Sequence, residues 1–191
     1  MKTHNSFRLI GALMLTCALT GALLAWVDNL TKGPIAQQKR KAELEAIRAV
    51  LPPFDNDPST TTKQIEGLTC YIGTWERRVS GVAFGLSAEG FSGGIKLIMG
   101  IDRAGKISGV CILEHLETPG LGANITRPWF TGQFKGKSLD NSRLVEGRLA
   151  VKKDGGDIDA ITGATISSRA VTEAVSKGLD LFQRHREELL E

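Results

Sequence analysis

The stretch Asp159-Ala160-Ile161-Thr162-Gly163-Ala164-Thr165 sets two hydroxyls and a carboxylate around a glycine. Gly163 has no side chain, so a large group can come close to a neighbouring hydroxyl. Ile166-Ser167-Ser168 then leads into a helical spacing of Val171, Val175, Leu179 and Phe182. Thr165 therefore falls beside a predicted helix N-terminus, where free N–H groups and the helix dipole favour a phosphate. A threonine N-cap before an ordinary helix is the plainer reading of the same residues.

A second stretch, His115-Leu116-Glu117-Thr118-Pro119-Gly120-Leu121-Gly122, has the composition of a shaped loop. Pro119 stiffens it, and its glycines permit backbone angles that other residues resist. Such a loop can lay backbone amides and Leu121 along a flat aromatic ring, while Glu117 and Thr118 hydrogen-bond the ring's edge. Taken alone, an ordinary surface turn fits as well.

Composition removes several classes of function. The net charge of +3 is small, and no basic stripe is interleaved with aromatics, so a nucleic-acid partner is not expected. The cysteines are Cys17, Cys70 and Cys111, with no CxxC, which argues against an iron–sulfur cluster or an all-cysteine zinc site. A Cys70–Cys111 disulfide and two buried free thiols both fit the sequence. Three scattered histidines do not suggest a metal centre. Gly120-Leu121-Gly122 fails as a dinucleotide fingerprint, because Ile125 stands where the third glycine belongs. A hydrolase using Thr165 or Ser167 would need a base and an orienting partner, and only His115 is on offer.

The elements that must position these residues follow from periodicity. Phe7 to Val27 is almost unbroken apolar sequence, about the 20 residues a helix needs to cross a bilayer. A cleaved signal peptide is the alternative, but its apolar core would be shorter and no A-x-A site follows. Lys2 and Arg8 precede the span, while Lys32 and Lys39-Arg40-Lys41 follow it. Charge counting therefore does not put the main domain outside, whereas a short basic N-terminus before an apolar span resembles a signal anchor, which would. Gly33-Pro34 is expected to end or bend the span, with a second helix over Ile35–Leu51 stopped by Pro52-Pro53. Asn56–Thr62 reads as a polar loop. Strands are predicted over Thr69–Trp75, Val79–Leu86, Ile95–Ile101 and Ile107–Glu114, with a last one over Leu149–Lys152. The final helix is expected from about Ser168 toward Leu190. With 41% hydrophobic residues the chain can fill a core. The fold expected is α+β: a mainly antiparallel sheet flanked by N- and C-terminal helices, on one N-terminal transmembrane helix. Its expected divisions are an anchor over residues 1–28, a helix and linker over 29–66, and a domain over 67–191.

Asp159, Thr162, Gly163, Ala164 and Thr165 match the Asp-x-x-Ser/Thr-Gly-Ala-Thr motif, and the stretch resembles the attachment site of the FMN-binding domain family. Glu117–Gly122 after a strand ending in His115, preceded by Gly90-Phe91-Ser92-Gly93-Gly94-Ile95, is similar to the RnfG branch of that family, from Rnf electron-transport complexes. The related NqrC branch, from sodium-pumping NADH:quinone reductases, is the alternative. Phe91 stands where this family often has Tyr. The resemblance implies covalent FMN on Thr165 through a phosphoester, with Thr162, Gly163 and Ala164 forming the attachment loop. It implies Glu117, Thr118 and Leu121 at the ring, a basic residue such as Lys152 or Lys153 nearby, and Asp159 as a recognition point for a flavin transferase. It implies a single-pass protein of the bacterial inner membrane with a periplasmic domain, partnered by other membrane subunits of an Rnf-type complex. Such a subunit has no catalytic side chains of its own, since the cofactor carries the chemistry. A membrane-tethered flavin module with no covalent cofactor is the non-enzymatic alternative.

Overall fold

The computed structural model of the protein describes residues 2–190, with side chains from Phe7 onward. The side chain of Lys2, one of the charges preceding the span, lies outside the described residues. By internal contacts the chain divides into residues 1–42 and residues 43–191. The first unit is helical. Helix α1 (Lys2–Val50) begins in it and ends in the second unit. From Phe7 to Leu30 its described side chains are all exposed, apolar ones included, and it is the one helix among the described residues long and apolar enough to cross a membrane. A helix apolar on every side needs an apolar solvent, and a bilayer supplies one.

The expected break at Gly33-Pro34 does not occur, because α1 runs through Pro34. Proline removes one N–H from the ladder, the one that would reach the Leu30 carbonyl. Both positions are exposed, so that carbonyl can find another partner without ending the helix. The stop at Pro52-Pro53 holds, since α1 ends at Val50.

The second unit is built on an antiparallel meander of five strands in the order β1-β2-β3-β4-β5. The strands are β1 (Thr62–Ile65), β2 (Leu68–Trp75), β3 (Arg78–Glu89), β4 (Gly94–Asp102) and β5 (Ile107–His115). The four longer ones follow their predicted ranges closely. Strand β1 has no counterpart among the predicted strands, because three of its four side chains are not buried and its sequence reads as polar. Short helix α2 (Pro128–Thr131) and the two-residue strands β6 (Leu144–Val145) and β7 (Arg148–Leu149) follow. The expected strand over Leu149–Lys152 is not one: β7 ends at Leu149, Val151 makes a single bridge to Ile158, and Lys152–Asp154 turn as a 3-10 helix. Helix α3 (Thr165–Arg184) starts a turn earlier than expected and breaks at His185 before α4 (Arg186–Leu190).

Strand alternation sends side chains to both faces, and both are covered. Phe84, Leu97 and Met99 point to the face closed by α3, through Val171, Val175, Leu179 and Phe182. Ala83 and Ile98 point to the opposite face, closed by Ala46, Ile47, Val50 and Leu51 from the end of α1. Gly100 and Gly109 face each other across β4 and β5 and form the notch for Val50. A Cβ on Gly100 would lie 2.1 Å from the Val50 carbonyl oxygen. The two-sided packing also settles the cysteines. Cys70 belongs to the α3 side and Cys111 packs on the α1 side, and both are free thiols. Burial pushes the Cys70 thiol up to about 11 and raises that of Cys111 as well.

Candidate functional site

The two stretches singled out in the sequence meet at the N-terminus of α3. Between Ile161 and Ala164 the chain makes a tight turn, closed by the Ala164 N–H donating to the Ile161 carbonyl at 3.0 Å. Gly163 occupies its third position with φ of +78°, which explains the glycine on steric grounds. Ser168, one turn into α3, holds this turn from below. Its hydroxyl accepts from the Ile161 N–H at 3.0 Å and donates to the Ala164 carbonyl at 2.9 Å. Ala164 at the N-cap offers no side-chain acceptor, so the N–H groups of the first turn point outward without a cap.

Thr165 opens the helix, half-buried, with its hydroxyl accepting from Lys153 Nζ at 3.0 Å. Lys153 reaches it because the neighbouring Asp154 is gripped by Arg169 of α3. Arg169 Nε donates to Asp154 Oδ2 at 2.6 Å and Nη2 donates to Oδ1 at 2.5 Å. The Arg169 guanidinium holds the Asp154 carboxyl below the usual carboxylate range. Asp159 sits outside this centre. Its carboxylate is paired with Lys152 at 2.7 Å on the surface, and its backbone is fixed at both ends by the Gln133 amide.

The Glu117–Gly122 loop comes up against the same turn. A Cβ on Gly163 would lie 3.2 Å from Leu121 Cδ2, so the two loops touch there. Between them is a cleft of about 330 Å³, within the size range of small-molecule sites. Thr118, Leu121, Lys153, Gly163 and Thr165 line it, together with Phe91 and Ile166. Phe91, Leu121 and Ile166 are large apolar side chains left 70%, 47% and 50% exposed. That is the surface a flat ring would cover. Glu117 also lines the cleft but is buried, and both carboxylate oxygens accept protein hydrogen bonds. Its N–H donates to His115 Nδ1 at 3.2 Å. Thr162, on the outer side of the turn, is exposed and does not line the cleft. Among the described residues no cluster of His, Cys, Asp or Glu is placed to hold a metal ion.

Sequence reasoning missed three partners: Ser92 and Ser167, which bond Glu117, and Arg169, which sets Lys153 through Asp154. Ser167 had no distinguishing signal, being one of four buried hydroxyl residues on α3 with Ser168, Thr172 and Ser176.

The profile of the FMN-binding domain family matches residues 90–180, and that of the RnfG N-terminal region matches residues 3–50. The G subunit of the ion-translocating oxidoreductase complex of Cereibacter sphaeroides is 38% identical over 95% of this chain and 85% of its own. Its Pseudomonas aeruginosa counterpart is 39% identical over 91% of this chain and 87% of its own. This chain belongs to the RnfG family, the G subunits of ion-translocating oxidoreductase complexes. As an RnfG-family member it shares its fold with NqrC of Shewanella oneidensis, whose crystal structure matches 75% of this chain and 73% of that one, with a TM-score of 0.51 and 25% identity. The FMN-binding profile ends at residue 180, within α3, so everything that lines the cleft lies inside it.

Proposed function

We propose that this RnfG-family protein relays electrons through FMN attached by a phosphoester to Thr165. The observation that carries the reading is the Thr165 hydroxyl beside Lys153 Nζ, at the uncapped N-terminus of α3 and on the edge of an apolar cleft. The residues present fit the cofactor. A phosphate on Thr165 would have the Lys153 ammonium and the first-turn N–H groups as partners. Phe91, Leu121 and Ile166 offer the ring a surface to stack on, while Thr118 and Glu117 offer its edge hydrogen-bonding groups. Thr162, Gly163 and Ala164 form the turn that keeps the hydroxyl accessible.

FMN supplies the acceptance and donation of single electrons. The chain's own residues hold it, keep water from one face, and set the electrostatic environment. A tether removes dissociation, so loading occurs once, by a flavin transferase that reads Asp159 and the attachment turn. The exposure of Asp159 suits that contact. The span in α1 anchors the protein in the inner membrane, residues 67–191 serve as the flavin domain on the periplasmic side, and the other membrane subunits of the complex are its electron partners.

The test is the intact protein from its native host. A mass increment of FMN, mapped to the peptide holding Thr165 and lost in Thr165→Val, is the expected result. An unmodified Thr165 peptide in an active complex would overturn the assignment. A reporter fused after the C-terminus and active only in the cytoplasm would overturn the periplasmic orientation.

A further inference from the structure

We infer that Ser167 is a positioning residue for the flavin, acting through Glu117 to set the spacing between the attachment helix and the ring loop. This rests on the FMN reading above. Glu117 is 5% exposed and Ser167 is 1% exposed, so neither needs solvent and Ser167 needs no contact with a ligand. The Ser167 hydroxyl donates to Glu117 Oε2 at 2.7 Å, and the Ser92 N–H donates to Oε1 at 3.2 Å. One carboxylate thus ties three segments: the corner between β3 and β4, the loop after β5, and the first turn of α3.

The surrounding backbone is built around that carboxylate. A Cβ on Gly90 would lie 2.0 Å from Glu117 Oε1. One on Gly122 would lie 2.4 Å from Oε2 and 2.9 Å from Ser167 Oγ. Buried carboxylates are costly unless hydrogen-bonded, so the donors hold the loop where Glu117 is satisfied. Ser167 is two residues from Thr165, and Glu117 is next to Thr118 and four from Leu121. The bond therefore fixes how far the attachment oxygen stands from the residues proposed at the ring. Removing the Ser167 hydroxyl leaves Oε2 without its donor and frees the loop to shift, while Thr165 keeps its place on the helix.

Two measurements on the full chain separate this inference from the flavin reading. In protein made without flavin transferase, amide exchange over residues 117–122 should rise by roughly tenfold or more in Ser167→Ala, since local opening then loses a hydrogen bond to a charged group. Ser167→Thr, which keeps the hydroxyl, should restore the parent rate. In flavinylated protein, Ser167→Ala should keep in-gel fluorescence but shift the visible absorbance and the midpoint potential, with Ser167→Thr again returning toward the parent. Exchange in Ser167→Ala equal to the parent overturns the brace, whatever the flavin does. Altered exchange with an unchanged spectrum and potential overturns the positioning role alone. A parent protein without covalent flavin overturns the attachment reading, and the exchange result still decides the brace. Should Ser167→Ala fail to fold, Ser167→Cys keeps the side-chain volume with only a weak donor and gives the same readouts.

Discussion

Lys153 Nζ stands 3.0 Å from Thr165 Oγ1, and the Arg169–Asp154 ion pair keeps it there. The cation and the hydroxyl belong to different elements, a 3-10 turn and the first residue of α3, and the ion pair clamps the two together one turn further along the helix. If Thr165 receives a phosphoryl group, Lys153 is the nearest positive charge. Lys153→Met should slow the initial rate of flavin loading by roughly tenfold, the size that losing about 1.5 kcal/mol from a charge-assisted hydrogen bond gives. Arg169→Ala should act in the same direction with a smaller effect. In-gel fluorescence against time, normalised to protein, measures both, and loading at the parent rate in Lys153→Met would remove the lysine from the site.

Asp159→Ala should lower flavin loading while leaving thermal stability within about 0.5 kcal/mol of the parent. The reason is that its carboxylate makes one exposed ion pair with Lys152, of a kind worth little, while its backbone is held by Gln133. Melting curves alongside fluorescence separate the two effects. A large loss of stability would mean that Asp159 serves the fold.

Leu121→Ala should leave FMN attached but change its absorbance and potential. Leu121 is 47% exposed and touches the turn at Gly163, so truncation removes cleft-lining surface rather than core. Redox titration of the fully flavinylated variant is the measurement. A spectrum and potential identical to the parent would place the ring elsewhere.

Gly100→Ala should destabilise the protein by about 1–3 kcal/mol, as overpacking does. The new Cβ would fall 2.1 Å from the Val50 carbonyl oxygen, and backbone cannot swing aside as a side chain can. Denaturant unfolding of the full chain in detergent reports the change. An unchanged midpoint would show that the end of α1 is not seated in the Gly100–Gly109 notch.

His185 makes stability near the C-terminus depend on pH. Its ring faces Glu66 of the β1–β2 turn at 3.1 Å and Glu188 of α4 at 3.3 Å, with Arg184 and Asp180 of α3 beside them and Lys63 of β1 bonded to the Glu188 carbonyl. The hydrogen bond to Glu66 raises the His185 pKa above its ordinary 6.5, and the same bond lowers that of Glu66 below its ordinary 4.5. The raised histidine contributes stability that is complete below 6.5 and is lost as pH rises through its folded value. The depressed Glu66 contributes stability present above 4.5 and lost as pH falls through its folded value. Amide exchange over α4 should therefore be slowest between about 4.5 and 6.5 and speed up on the alkaline side, after correction for intrinsic rates. His185→Ala should flatten the alkaline limb. A wild-type profile without that limb would mean the latch is not closed by charge.

Local patterns were enough to reveal the apolar span, the four longer strands and the helical stripe of α3, because each is a periodicity that neighbouring residues carry among themselves. The stretch at Asp159–Thr165 and the loop at Glu117–Gly122 stood out for the same reason: a glycine between hydroxyls, and a proline between a carboxylate and glycines, are local facts. Four readings went wrong where a distant or environmental term outweighed the local one, among them the strand over Leu149–Lys152, which gives way to a single bridge from Val151 to Ile158. Pro34 lies in an exposed helix that tolerates one missing hydrogen bond. Strand β1 is a polar segment that exists because β2 offers it an edge. The α3–α4 break occurs at His185, where Glu66 comes in from the β1–β2 turn. Tertiary structure alone decided how these residues meet. Cys70 and Cys111 are separated by the thickness of a sheet, Lys153 reaches Thr165 through an arginine on α3, and Glu117 meets Ser167 fifty residues away. None of these pairs has a spacing that a helix or strand could register, because they are brought together by the packing of separate elements.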